Sequence, residues 1–140
     1  MTNELIHKDT YEQLTTKQVK EVLEYLQTNT TQFNITIKLK YIDFNPKLPE
    51  SIYQNMHEYT MFTLANYTFS SLKILDNTIE FETGFGPSNF GSVCTIPYHS
   101  IFQLGVDDSI LFINPVASID KVFEQEDQKQ RSMNAFKMNK

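Results

Sequence analysis

The side chains that most often carry catalysis are few and scattered in this sequence. His7, His57 and His99 have no cysteine or carboxylate nearby at the spacing of metal ligands, so no zinc site is expected. The single cysteine, Cys94, falls in a predicted strand, where a buried and inert thiol is the usual outcome. The sequence therefore predicts neither a metal ion nor a cysteine nucleophile.

Two further patterns have catalytic interpretations, and each has a simpler explanation. Glu80 and Glu82 share one face of a predicted strand, as a pair of acid and base carboxylates would, but a solvated strand face explains them equally well. Gly84-Phe85-Gly86 lacks the third glycine and the following helix of a dinucleotide-binding fingerprint. We therefore predict that the protein is not an enzyme and has no cofactor.

A glycine-rich segment with two aromatic residues favours binding. The segment from Gly84 to Gly91 lies between two predicted strands and contains Phe85 and Phe90. Such a loop can leave a strand edge open beside an aromatic pocket, and an extended peptide can add to that edge as a further strand. The alternative interpretation is that Phe85 belongs to the core and that the glycines only form a turn.

The length and composition predict one globular domain. A chain of 140 residues is too short for two domains of ordinary size, and its hydrophobic fraction of 40% is sufficient for a packed core. No segment resembles a membrane span or a secretory signal, and a single cysteine cannot form an internal disulfide. We therefore expect a cytoplasmic protein without membrane association.

Acidic residues dominate the body of the chain, and basic residues dominate its end. Residues 1–127 contain 8 basic and 17 acidic residues, a net charge of −9, whereas residues 128–140 contain 4 basic residues and no acidic one. An acidic body is a poor partner for phosphate backbones. Nucleic-acid binding by the folded part is therefore not expected.

One amphipathic helix is predicted near the N-terminus. Thr15 and Gln18 have the spacing of a helix capping box, and apolar residues follow at intervals of three and four. We expect this helix to end at about Gln27 or Thr28. Its apolar stripe consists of Val19, Val22, Leu23 and Leu26.

The remainder of the body has the pattern of short strands. Asp76-Asn77 predicts a tight turn into a strand that carries Ile79 and Phe81. One helical turn is expected within residues 98–104. Alternation or β-type composition predicts further strands at 35–41, 59–64, 72–75, 92–96 and 110–113. These patterns predict a mainly β domain with an N-terminal α-helix, folded as a small antiparallel β-barrel or sandwich.

The C-terminal residues differ in composition from the body. No apolar residue occurs between Glu124 and Met133, which predicts a flexible linker, and the last residues combine apolar with basic side chains. That composition fits a short docking motif or a frayed terminus. We therefore divide the chain into an N-terminal extension at 1–13, a domain at 14–123 and a tail at 124–140.

The order of these segments resembles the SspB family, the adaptors that deliver ssrA-tagged proteins to the ClpXP protease. The resemblance rests on a helix, a strand, the stretch from Leu64 to Leu72, the hairpin at 76–81, Phe85-Gly86 and Ile96-Pro97. It implies a strongly bent, SspB-like and Sm-like antiparallel β fold. It also implies a homodimer whose interface contains the helix stripe of Val19, Val22, Leu23 and Leu26.

The resemblance further implies a peptide groove and a docking tail. In the family, the tag lies between the segment before the hairpin and the segment that leads into the Phe-Gly pair. The corresponding residues here are Leu64, Ala65, Asn66, Tyr67, Thr83, Gly84, Phe85 and Gly86. Family members also dock on the zinc-binding domain of ClpX through their last residues, which Ala135, Phe136, Lys137 and Met138 resemble.

The function implied by the resemblance is that of a non-enzymatic proteolytic adaptor. It would bind ssrA-type tag peptides and tether the tagged cargo to ClpXP. The longer connection between Gly86 and Ile96 predicts an altered tag preference. The alternatives are a small β-barrel that binds RNA, a general peptide-binding protein, and a small hydrolase or isomerase that uses Cys94 or His99.

Overall fold

The computed structural model describes residues 5–119 of the chain. Single-turn 3-10 helices lie at Leu39–Tyr41, Tyr98–Ser100 and Pro115–Ser118. The predicted tail, with the docking residues Ala135, Phe136, Lys137 and Met138, lies outside the described residues. The main elements are α1 (Asp9–Asn29), β1 (Gln32–Lys38), β2 (Asp43–Asn45), α2 (Glu50–Tyr53), β3 (Tyr59–Ala65), α3 (Asn66–Ser70), β4 (Lys73–Ile74), β5 (Thr78–Phe85), β6 (Phe90–Pro97), β7 (Ile101–Val106) and β8 (Ser109–Ile113).

The strands form two antiparallel four-stranded sheets. One sheet has the order β3-β1-β7-β8 and the other has the order β2-β6-β5-β4. The strands at the ends of the two sheets are not joined to each other, so the predicted barrel is wrong. The coarser prediction, a β-rich domain with an N-terminal helix, is confirmed.

One hydrophobic core joins the helix and both sheets. Along β1, alternate residues point inward, which is the period expected of a strand with one buried face. The helix contributes residues spaced by four and three, the period of an α-helix. The fully buried residues include Val19, Leu23 and Leu26 of α1, Phe33, Ile35 and Ile37 of β1, and Ile79 and Phe81 of β5.

The helix begins earlier than predicted. It starts at Asp9, so Thr15 lies inside it, and the Thr15 hydroxyl donates to the Glu12 carbonyl at 3.1 Å. The predicted capping box is therefore wrong. Asp9 and Glu12 lie in the first turn, where negative charge favours the positive end of the helix dipole. Residues 9–13 of the predicted extension thus belong to α1.

The predicted hairpin is confirmed, and two strands, β2 and β7, were missed. β4 pairs with β5 through Lys73 opposite Glu80. The expected helical turn is confined to Tyr98–Ser100, and β7 follows it at once. The apolar residues of this segment have no period that distinguishes a short buried strand from a helical turn.

An irregularity interrupts the outer pair β7 and β8. The register shifts between Leu104 and Gly105, which pair with Phe112 and Ile110, so Leu111 has no opposite residue. A Cβ atom at Gly105 would lie 2.6 Å from the Ser109 carbonyl oxygen, so only glycine permits this close approach. The result is a β-bulge in a strand that exposes Ile110, Leu111 and Ile113.

Among residues 5–119, no helix has both the length and the hydropathy that a bilayer crossing requires.

Leu23 and Leu14 provide a matched test of the core. Leu23 is 0% exposed and Leu14 is 51% exposed on the same helix. We expect Leu23→Ala to lower the free energy of unfolding by roughly 2–5 kcal/mol, because it leaves a cavity. Leu14→Ala should change it by less than about 0.5 kcal/mol. Urea denaturation measures both, and equal losses would contradict this packing of α1.

Candidate functional site

The predicted groove residues belong to β3, α3 and β5, and both strands have an outer edge there. β3 ends its sheet, with β1 on its other side. The Leu39 amide donates to the Glu58 carbonyl at 2.8 Å, so the backbone groups of Glu58 face β1. Along an antiparallel strand, the backbone groups of successive residues face its two edges in turn. The residues of β3 whose backbone groups face away from β1 are therefore Tyr59, Met61, Thr63 and Ala65.

The outer edge of β5 is occupied along only part of its length. β4 pairs as far as Glu80. The next outward amide, that of Glu82, donates to the Ser71 hydroxyl at 2.9 Å, and this hydroxyl donates to the Thr68 carbonyl at 2.7 Å. The alternation then turns the N–H and C=O of Gly84 outward. Among the described residues, β6 pairs with the inner edge of β5 here, and no strand pairs with the outer edge at Gly84.

Phenylalanine contacts bring the two open edges together. The ring centroid of Phe62 on β3 lies 5.5 Å from that of Phe81 and 6.1 Å from that of Phe85, both on β5. Phe85 also contacts Phe44 on β2, at 5.7 Å. Phe85 is partly buried against the core, as the alternative interpretation of the loop expected. It is also the apolar boundary between the two edges.

α3 crosses from β3 toward β5 and carries the one large exposed aromatic side chain of the predicted groove. Asn66 begins the helix with a φ of 53°, and Phe69 anchors it with its ring centroid 6.1 Å from that of Phe33. Tyr67 is 66% exposed, and its hydroxyl donates to Glu82 Oε1 at 2.7 Å. This hydrogen bond, together with the negative charge of Glu82, raises the pKa of Tyr67. The phenol therefore stays protonated as a donor.

A cavity lies between α3 and the outer face of β5 and β6. Its volume is about 330 Å³. Lys73 and Glu80 form an ion pair on its wall, with 3.8 Å between Nζ and Oε2. The residues that line it include Tyr67, Ser71, Lys73, Glu80, Glu82 and Val93. The cavity thus combines carboxylates, an aromatic ring and one paired lysine.

The glycine-rich segment is a tight hairpin. β5 extends through Phe85, which pairs with Phe90, so only residues 86–89 connect the strands. The loop is therefore shorter than the predicted loop of residues 84–91, because β5 and β6 both extend into that segment. Gly86 has a φ of +72°, and a Cβ atom at Gly84 would lie 1.7 Å from Asn89 Oδ1. Glycine at position 84 leaves room for this side chain.

The predicted groove residues do not all face the same space. Leu64 is fully buried in the core, so its side chain is not accessible to a ligand. Ala65, Tyr67, Gly84 and Phe85 lie around the two edges, with Asn66, Thr83 and Gly86 beside them in the chain. Phe62, Ser71 and Glu82 also lie at these edges, although the sequence did not indicate them as site residues. The alternation of polar and apolar residues along this strand predicted an exposed Glu82 side chain and gave no sign of its contacts.

Cys94 and His99, the two residues with a catalytic interpretation, are both buried. Cys94 is buried in β6, and desolvation raises its pKa to about 12, so the reactive thiolate is disfavoured. His99 is buried with its ring centroid 4.6 Å from that of Tyr41. Within residues 5–119, no group of three or more potential ligands is arranged to hold a metal ion.

The helix stripe packs inside its own chain. Val19, Leu23 and Leu26 are at most 1% exposed, and Val22 packs against the same core. Three of the four side chains assigned to a dimer interface therefore have almost no surface left for a partner. The outward side of α1 instead exposes Leu14 and Tyr25.

Comparison with models of known protein families and with curated proteins gives no match for this chain.

Ser71 and Ser70 provide a matched test of the β5 edge. Ser71→Ala removes the acceptor of the Glu82 amide. We expect it to lower the free energy of unfolding by about 1–3 kcal/mol and to accelerate hydrogen exchange at the Glu82 amide. Ser70 is the exposed neighbour, so Ser70→Ala should change neither quantity. An unchanged exchange rate in Ser71→Ala would show that the hydroxyl does not protect this amide.

Proposed function

We propose that this protein is a non-enzymatic adaptor that binds a degradation-tag peptide and presents the tagged cargo to the ClpXP protease. The observation that carries the proposal is the pair of open edges, β3 and the Gly84 end of β5, that meet at Phe62 and Phe85. The resemblance to the SspB family places the tag at the same two segments. The fold we propose is correspondingly the bent, SspB-like arrangement of the two sheets, within a cytoplasmic protein.

The open edges have the properties that capture of an extended peptide requires. Main-chain hydrogen bonds to an edge strand supply affinity that is independent of sequence, and adjacent cavities select side chains. Gly84 offers one outward donor and one outward acceptor, and the outward groups of Met61, Thr63 and Ala65 extend the possible contacts along β3. The exposed Tyr67 and the partly buried Phe85 offer apolar contact area beside these groups.

Adaptor function needs no catalytic group. A tag bound by the body and a tail bound by the unfoldase turn two weak contacts into one stronger tether, because the second contact becomes intramolecular. In this proposal, the tail at 124–140 docks on the zinc-binding domain of ClpX through Ala135, Phe136, Lys137 and Met138. A homodimer would carry two such tails, and the exposed side of α1 is the helix surface that a second subunit could contact.

The charge of the folded part disfavours the RNA-binding alternative. Residues 5–119 contain 7 basic and 12 acidic residues, a net charge of −5. Two acidic side chains, Glu80 and Glu82, line the cavity beside the open edge. Such a surface repels a phosphate backbone, whereas a polypeptide backbone carries no charge. General peptide binding, without delivery to a protease, remains the second candidate.

A labelled ssrA-type peptide tests the binding half of the proposal. We expect its fluorescence anisotropy to rise on titration with the protein. At a free peptide concentration of 100 times the dissociation constant, hydrogen exchange at the Gly84 amide should slow by up to about a hundredfold. The Gly91 amide, which lies opposite Gly84 and turns away from this edge, should not change. Binding without protection of Gly84 would place the peptide elsewhere.

Deletion of residues 133–140 tests the delivery half. We expect the truncated protein to bind the tag peptide with unchanged affinity and to lose its stimulation of ClpXP, because the body and the tail make separate contacts. Degradation of a tagged fluorescent protein by ClpXP measures the stimulation. Unchanged stimulation would exclude the docking role of the tail.

A further inference from the structure

The cavity beside the open edge has a chemical character that bears on which tags are bound. This inference rests on the proposed function, because it concerns a side chain of the bound peptide. We infer that the cavity between α3 and β5 receives a basic side chain, lysine or arginine, of the peptide that pairs with Gly84.

The position follows from the alternation of side chains along β5. Ile79 and Phe81 point into the core, so Glu80, Glu82 and the Cα hydrogens of Gly84 face the outer side of the sheet. A peptide residue directly opposite Gly84 places its side chain on that same outer face. Its diagonal neighbour is then Glu82, about 7–8 Å away. A long side chain is needed to span that distance.

Ser71 fixes where this pairing stops. Its hydroxyl already accepts a hydrogen bond from the Glu82 amide. A peptide strand that pairs with Gly84 therefore finds the next outward amide of β5 already bonded. The peptide backbone therefore cannot continue its pairing along β5 past the cavity. Only a side chain that leaves the peptide near Gly84 can enter the space between Tyr67 and Val93.

The chemistry of the cavity suits a cation on a long apolar stem. The Tyr67 hydroxyl donates to Glu82 Oε1 at 2.7 Å. Because a carboxylate can accept about four hydrogen bonds, Glu82 can still accept from a bound cation. The exposed ring of Tyr67 presents an electron-rich face of the kind that attracts ammonium and guanidinium groups. Val93 supplies an apolar surface for the stem.

The charges around the cavity favour a cation over an anion. Lys73 is the one basic side chain that lines it, and Glu80 pairs with Lys73 at 3.8 Å. This pairing leaves Glu82 as the carboxylate without a basic partner among the described ion pairs. An acidic side chain in the same place would be repelled by Glu82 and would lose its hydration.

A peptide series tests this inference. A labelled ssrA-type peptide is substituted at each position in turn with lysine, with norleucine and with glutamate, and each affinity is measured by fluorescence anisotropy. Norleucine retains the apolar stem of lysine and lacks the charge. We expect one position at which lysine binds about fivefold more tightly than norleucine, and glutamate more weakly than either.

Two protein variants assign the preference to the cavity. Glu82→Gln keeps an acceptor for Tyr67 and removes the charge, so it should abolish the difference in affinity between the lysine and norleucine peptides. Glu24→Gln, an exposed residue of α1, makes the same change in net charge away from the site and should retain the preference.

The outcomes separate this inference from the proposed function. A peptide series that binds without a preference for lysine, or a preference that survives Glu82→Gln, overturns the basic subsite and leaves the peptide-binding proposal intact. Failure of every peptide to bind overturns the proposed function itself.

Discussion

The contact of Phe62 with Phe81 and Phe85 joins the two sheets at a place where each lacks a further strand. Aromatic rings at these distances bury a large apolar area and prefer the edge-to-face geometry seen here, with interplanar angles of 67° and 89°. The rings hold β3 and β5 close together, while the outer edge of β3 and the Gly84 end of the outer edge of β5 have no strand partner among the described residues. The open edges therefore depend on side-chain packing and not on hydrogen bonds between the sheets.

The sequence predicted those elements in which a local pattern decides the structure. The hairpin through Asp76 and Asn77 and the stripe of α1 both formed where alternation or helical period indicated them. The helix start at Asp9 was missed, because Thr15 and Gln18 have the spacing of a capping box although they lie inside the helix. The first turn instead carries the acidic residues Asp9 and Glu12. The strand at Ile101–Val106 was missed because a short buried run has no decisive period.

The site was predictable only in part, because several of its contacts join residues that are distant in the chain. The resemblance pointed to Tyr67 and Gly84, and both lie at the open edges. It did not indicate that Ser71 would take the place of a strand beside Glu82, or that Phe62 would contact Phe85 across 23 positions. The first contact forms where the end of α3 lies beside β5 and the second where the two sheets pack together, and no spacing rule within one element encodes either of them.

The bulge at Leu111 affects how the molecule behaves at high concentration. β8 is an outer strand with exposed isoleucines, and a flat strand of that kind would act as a template for stacking identical chains. The missing partner at Leu111 twists the strand and breaks the regular ladder that such stacking needs. The bulge thereby makes this exposed apolar strand a poorer template for edge-to-edge pairing with an identical strand.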